Sequence, residues 1–122
     1  MEPVRHIVYT STPSAALGPI ELDRILEGAR AWNEAHDITG SLFVIHAEST
    51  DVTGFLQWIE GPSAAIAACF ARIAADTRHT DLRVLADGPV DERAYSSWSM
   101  ERQWTTRAQL AEAYERFGIP TP

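Results

Sequence analysis

A chain of 122 residues that is 45% hydrophobic and 22% charged is long enough for one domain around a single core, without disulfides or metals to staple it. Its net charge of −7, carried against ten basic residues that are all arginine and form no run, argues against a phosphate backbone or an anionic membrane as partner. Cys69 is the single cysteine, so an internal disulfide is excluded and a cysteine-based metal site is disfavoured. There is no signal-like N-terminus and no apolar run of spanning length, and a cytoplasmic location is expected.

Val4 to Thr10 is predicted as a strand, with Ile7 and Tyr9 on one face and His6 and Val8 on the other. A loop of small residues leads to Gly18-Pro19, where proline suits the first helical position and Glu21 and Asp23 suit the first turn. The helix runs to about His36 on the apolar repeat Leu22, Ile25, Leu26, Ala29, Trp32, and Asn33 falls on the same face. A second strand opens at Ile38-Thr39-Gly40 and ends at His46. A polar tip from Ala47 to Thr53 makes a long hairpin with the strand Gly54 to Gly61. Pro62 starts a second helix with the stripe Ile66, Cys69, Phe70, Ile73. Leu82 to Ala86 is a fourth strand, Ala94 to Met100 a short fifth, and Thr105 to Phe117 an amphipathic helix. This order is α+β, the ferredoxin-like βαββαβ pattern with an added strand and a C-terminal helix, and both main helices lie on one face of a mixed sheet. The other face carries Val8, Leu56 and Trp58 and is too apolar to stay wet, so the C-terminal helix, a second subunit or both should cover it.

The usual catalytic constellations are thin in this chain. There is no Walker-type loop, no cysteine pair and no His-Glu-x-x-His, and the four histidines (6, 36, 46, 79) sit on different elements. What stands out is a set of neutral hydrogen-bonding groups on inward faces: Tyr9, Asn33 and Gln57. A buried amide left without partners costs about 1–3 kcal/mol, so each of these needs a bond. Singly, each has an ordinary explanation. Gln57 could meet a backbone group, Asn33 could cap its helix, and Arg72 with Asp76 could form a modest surface ion pair. Together with Trp98 and Met100, two apart on one side of the last strand, they also fit the lining of a pocket for a flat heterocycle with carbonyl and imide groups.

The pieces Tyr9 in the opening strand, Arg30-x-x-Asn33 running into Ile38-Thr39-Gly40, and Phe55-Leu56-Gln57-Trp58-Ile59-Glu60-Gly61-Pro62 resemble the BLUF domain, a blue-light sensor that uses flavin. Arg72-Ile73-x-x-Asp76-x-Arg78-His79 and Trp98-Ser99-Met100 continue the resemblance in order, so that it spans positions 4 to 100. It implies a flavin held without a covalent bond between the two helices, facing the sheet, with FAD expected and FMN or riboflavin as alternatives. Asn33 would bond the pyrimidine edge, Arg72 and Asp76 would line it, His79 would lie toward the ribityl or phosphate end, and Arg30 would join the cofactor contacts. Tyr9 and Gln57 would be the photoactive pair: Tyr9 gives an electron and a proton, Gln57 rearranges its bonding, and absorption moves slightly to the red. Trp98 and Met100 would respond and pass the change outward.

The resemblance divides the chain into a flavin-binding part, residues 1–103, and a C-terminal amphipathic helix and tail, residues 104–122, packed on the sheet or on a partner. A photoreceptor without its own catalytic effector is expected, because nothing after Met100 is long enough to be one, so a separate downstream protein partner is expected. The apolar outer sheet face motivates a homo-oligomer, and the acidic charge leaves neither nucleic acid nor membrane involved. Two rivals stay open. One is a ferredoxin-like oxygenase or isomerase using Tyr9 and His79 as acid and base. The other is a flavin-free regulatory module whose pocket has become core.

Overall fold

The computed structural model describes residues 4–15, 17–47, 52–95, 101–106, 108–109, 111–112 and 115. The elements follow as β1 (Val4–Pro13), α1 (Pro19–Ala35), β2 (Thr39–His46), β3 (Val52–Pro62), α2 (Ser63–Ala75), β4 (His79–Val90) and β5 (Glu101–Thr105). The five strands form one sheet in the order β4-β1-β3-β2-β5. The first four pair antiparallel and β5 adds parallel to β2, which makes the sheet mixed as expected.

Strand alternation separates the chain into two cores. Ile7, Tyr9, Leu42, Val44, Phe55 and Ile59 meet Leu22 and Leu26 of α1 and Ile66 and Cys69 of α2 on one face. Val8, Phe43, Ile45, Leu56 and Trp58 cluster with Tyr95 on the other, and all are buried within the single chain. The described positions of the C-terminal helix (Ala108, Gln109, Ala111, Glu112, Glu115) are exposed. That helix is entered through a reciprocal cap in which Thr106 N–H donates to Gln109 Oε1 and Gln109 N–H to Thr106 Oγ1.

The register around Gln57 is what positions the site. Tyr9 lies directly across from Gln57 on β1, and Leu42 across from it on β2. The β2–β3 ladder runs without a shift from Thr39↔Glu60 to Ile45↔Gly54, and its one irregularity falls between Ile45 and His46. The long hairpin therefore absorbs its extra residue beside its tip, at Thr53, and the parity that turns Gln57 toward the helices is untouched. The tip itself, residues 48–51, lies outside the described residues.

Two expectations for the second half are corrected. The fourth strand is much longer than Leu82 to Ala86, running His79–Val90 along β1 through two register shifts. The described fifth strand is Glu101–Thr105; of the expected segment Ala94 to Met100, Ala94 and Tyr95 are not strand, and residues 96–100 lie outside the described residues. Ala94 and Tyr95 do not join the sheet because their N–H groups are taken by the Glu60 carboxylate. Trp98 and Met100 lie outside the described residues.

Candidate functional site

Between α1, α2 and the inner face of the sheet is a cavity of about 210 Å³. That is many times the space one water needs, so it is a ligand-scale cavity and not a packing defect. Its walls are apolar at Ile25, Leu26, Leu42, Phe55 and Ile73, and Tyr9, Asn33 and Gln57 all line it. Each of those three polar residues is at most 7% exposed.

Asn33 reaches the cavity because other groups end its helix. Its backbone carbonyl accepts from both His36 N–H and Ile38 N–H, and Asp37 takes the left-handed conformation at φ 58°. The expected role of Asn33 as a helix-end residue is thus filled by its main chain, while its side chain turns inward. Cys69 Sγ lies 3.9 Å from Asn33 Oδ1. Burial pushes the Cys69 thiol up to about 11, so it stays a neutral wall residue.

Across the cavity floor, the Tyr9 hydroxyl donates to Gln57 Oε1, both groups being buried. Burial is the main reason the Tyr9 phenol is held well above the usual tyrosine range, and the neighbouring Cys69 and Asp76 push it the same way. The Tyr9 side chain is therefore a neutral phenol near neutral pH.

His79, the first residue of β4, has both ring nitrogens engaged: Nε2 lies 2.7 Å from Ile73 O and Nδ1 2.8 Å from Ser11 Oγ. A carbonyl only accepts, so Nε2 carries a proton, and in the neutral ring Nδ1 accepts from the Ser11 hydroxyl. This ties the end of α2 to β1 at the cavity wall. It also leaves His79 facing Tyr9 only edge-on, with ring centroids 6.3 Å apart, and does not set up an acid–base pair.

The arginines depart from expectation. Arg72 and Asp76 do not pair with each other, although both line the cavity. Asp76 ends α2 in an extended conformation, which swings its carboxylate under residue 78. Arg78 Nε and backbone N–H then donate to it at 2.9 and 3.0 Å. The Arg72 guanidinium lies instead over the Trp32 ring, 4.7 Å from its centroid, and Trp32 in turn stacks on His36 at 3.7 Å. Arg30 is exposed and does not line the cavity, because it is rotated about 100° from the Ala29 position that does. Arg24, Ser11, Cys69 and Gly28 line it and are absent from the sequence-based set of site residues. Arg24 and Gly28 are four apart, a spacing that puts them on one face, but an arginine and a glycine carry no apolar signal that marks the face as inward.

Hydrogen bonds from Arg78 hold the Asp76 carboxyl below the usual carboxylate range, partial burial opposing them. The stabilisation is present above the ordinary carboxylate value of about 4 and disappears as pH falls through the depressed folded value. Melting temperature followed downward from pH 5 should fall in the wild type, and Asp76→Asn should flatten that part of the profile. An unchanged slope in the variant would remove Asp76 from the acid transition.

The donor set suits a flavin. Two amides offer both donors and acceptors to a heterocycle edge, aliphatic and aromatic walls suit a flat ring, and Arg24, Arg72 and Arg78 supply positive charge for a phosphate-bearing tail. At Gly28 an added Cβ would meet nothing within 4 Å, so the α1 wall is open there.

Comparison with known proteins decides what this arrangement belongs to. The family model described as BLUF, sensors of blue-light using FAD, matches residues 4–101. The chain belongs to the BLUF family. Two relatives are subunits of photoactivated adenylate cyclase from Euglena gracilis: alpha, 33% identical over 91 residues, and beta, 30% identical over 111 residues. The matches take in 75% and 91% of this chain but only 8% and 12% of those proteins. Among solved structures, that of BlrB, a BLUF protein in its dark state, superposes with a TM-score of 0.76 at 28% identity, covering 96% of this chain and 85% of the other. A bacterial light-regulated adenylyl cyclase shares the fold, with a TM-score of 0.77 at 22% identity over 94% of this chain and 33% of that one. This BLUF domain is thus a flavin-binding blue-light photosensor of ferredoxin-like architecture. Among its described residues, no helix is long and apolar enough to cross a membrane.

Proposed function

We propose that Tyr9 and Gln57 are the light switch of this BLUF domain, and the observation that carries the reading is the buried hydrogen bond from the Tyr9 hydroxyl to Gln57 Oε1 inside the cavity. The flavin, when bound, supplies the blue-light absorption and the electron demand. The chain supplies the rest. Tyr9 is kept neutral by burial, so its electron and proton leave together, and the proton has Gln57 in contact to receive or relay it. An amide presents an acceptor at one end and donors at the other, so rotation or tautomerisation of Gln57 exchanges what it offers Tyr9 and what it offers the cavity. In a site screened from water the rearranged bond persists long enough to be read. Asn33 holds the heterocycle edge, with Arg72 and Asp76 beside it and His79 and Arg78 toward the tail. FAD is the expected flavin, and the three cavity arginines suit the phosphate-bearing tail of FAD or FMN better than the uncharged one of riboflavin.

Trp98 and Met100 are proposed to respond on the stretch before β5, and the C-terminal helix to cover the Trp58 face and hand the change to a second copy or to a separate protein. The test of the whole reading is the absorption spectrum of the purified protein before and after blue light. A yellow protein with a reversible red shift is expected, and a colourless one that cannot be loaded with flavin would sink it. Asn33→Ala should lower flavin retention by about tenfold, the worth of one or two buried hydrogen bonds, with little loss of fold. Unchanged retention on gel filtration would remove Asn33 from the site.

A further inference from the structure

Glu60 is a carboxylate with no exposed surface in a strand whose other polar side chains are only Thr53 and Gln57. By the alternation of β3 it faces away from the flavin cavity, on the side of Trp58. Its Oε2 accepts from Ala94 N–H at 2.9 Å and from Trp58 Nε1–H at 3.2 Å. Its Oε1 accepts from Tyr95 N–H at 2.5 Å and from Thr39 Oγ1–H at 3.3 Å. A carboxylate has about four acceptor sites, and here all of them are filled from within the chain. The grip is doubled on the far side. Thr39 Oγ1 accepts from Arg93 Nη1 at 3.0 Å, and Arg93 Nη2 donates to Asp37 O at 2.9 Å and pairs with its carboxylate at 3.2 Å.

The groups so gathered are informative. Thr39 belongs to β2 and Trp58 to β3, next in the chain to Gln57. Ala94 and Tyr95 belong to the segment after β4 that leads toward β5. Ala94 and Tyr95 are outside the sheet, and the Glu60 carboxylate is where their two N–H groups are satisfied. The Tyr95 ring also packs edge-on against Trp58, with centroids 5.8 Å apart.

We propose that Glu60 is the positioning residue that couples the Gln57 strand to the chain entering β5. It rests on the reading of Gln57 as the switch. A shift of β3 at Gln57–Trp58 reaches Ala94 and Tyr95 through one carboxylate, because the same oxygens hold both. The carboxylate form matters. A glutamine of the same shape sets amide hydrogens against groups that are all donors, so it keeps the packing and releases one side of the grip.

The test is amide hydrogen exchange at Ala94 and Tyr95 in the flavin-loaded full chain, in the dark and under blue light, with the flavin spectrum read on the same sample. In the wild type both amides are expected to be protected in the dark and to change their exchange several-fold on illumination. In Glu60→Gln their dark exchange should rise by about tenfold or more, the equivalent of one buried hydrogen bond, and the light-minus-dark difference should vanish while the red shift remains. A residue that merely stabilised the fold would raise exchange at core amides such as Ile59 equally and leave the light dependence intact. Should Glu60→Gln not fold, Thr39→Val removes a single donor and the link to Arg93, and is expected to give a partial loss of the same light dependence. Light dependence at wild-type size in the folded variants overturns the proposal. A wild type that shifts its spectrum with no change at these amides overturns the coupling alone, and one with no spectral shift overturns the photochemical reading beneath it.

Discussion

Replacing Tyr9 with phenylalanine is expected to leave a yellow protein whose absorption no longer shifts under blue light. The ring itself belongs to the inner core, 3% exposed and 5.8 Å from the Phe70 ring, so phenylalanine keeps the packing that shapes the cavity. What disappears is the hydroxyl that donates to Gln57 Oε1. Losing this buried bond costs about 1–3 kcal/mol of stability, which the domain should tolerate, but the phenylalanine supplies no hydroxyl electron and proton source at that atom. Flavin content should therefore stay near the wild-type level while the light-induced difference spectrum is lost. A normal red shift in Tyr9→Phe would refute the assigned role. Loss of flavin together with the shift would show instead that the phenol holds the cavity together.

The second large effect is expected at Gly40, which has no side chain to take part in any chemistry. A Cβ there would fall 1.9 Å from the Trp58 carbonyl oxygen and 3.0 Å from its carbon, both backbone atoms that cannot swing aside. Gly40 pairs with Ile59, two residues from Gln57, in the stretch of the β2–β3 ladder that fixes Gln57 toward the cavity. Gly40→Ala must push the two strands apart or slip them, at a cost of about 3 kcal/mol or more. The expected outcome is a fall in melting temperature on the order of 10 °C, with weakened flavin retention, because the amide is no longer held at its height in the sheet. A variant with wild-type melting and a wild-type photocycle would show that the close approach is relieved by small backbone adjustments.

The two variants separate what carries the light response from what carries the sheet. They also mark which parts of the molecule are legible in its residue order. Alternation alone puts Ile7 and Tyr9 together, and Phe55, Gln57 and Ile59 together, and the helical repeat places Leu22, Leu26 and Asn33 on one side; the structure keeps each grouping. These patterns are readable because burial on one face imposes a period on the sequence. Arg72 and Asp76 look like a pair in sequence and are not one, for the complementary reason. A spacing of four means contact only while the helix continues, and α2 ends at Asp76, so Arg78 takes the carboxylate and Trp32 the guanidinium. Arg30 belongs to a family-like motif, and one step of helical rotation takes it out of the site.

The element order, the two-faced sheet and the inventory of neutral polar groups follow from the amino-acid sequence, since local periodicity and residue type are enough to specify them, and the family is legible there as a resemblance of ordered motifs. How that inventory is used is a tertiary matter. Whether Gln57 faces a tyrosine or solvent depends on where a hairpin with a long tip places its extra residue, and register is a property of two strands together. The bulge lies beside the tip, so Gln57 meets Tyr9. Glu60 is the clearer case. In sequence it is one charge at the end of an apolar strand, and nothing local distinguishes it from a solvated residue. Its burial makes sense only once Thr39, Trp58, Ala94 and Tyr95, drawn from three parts of the chain, are seen to converge on two oxygens.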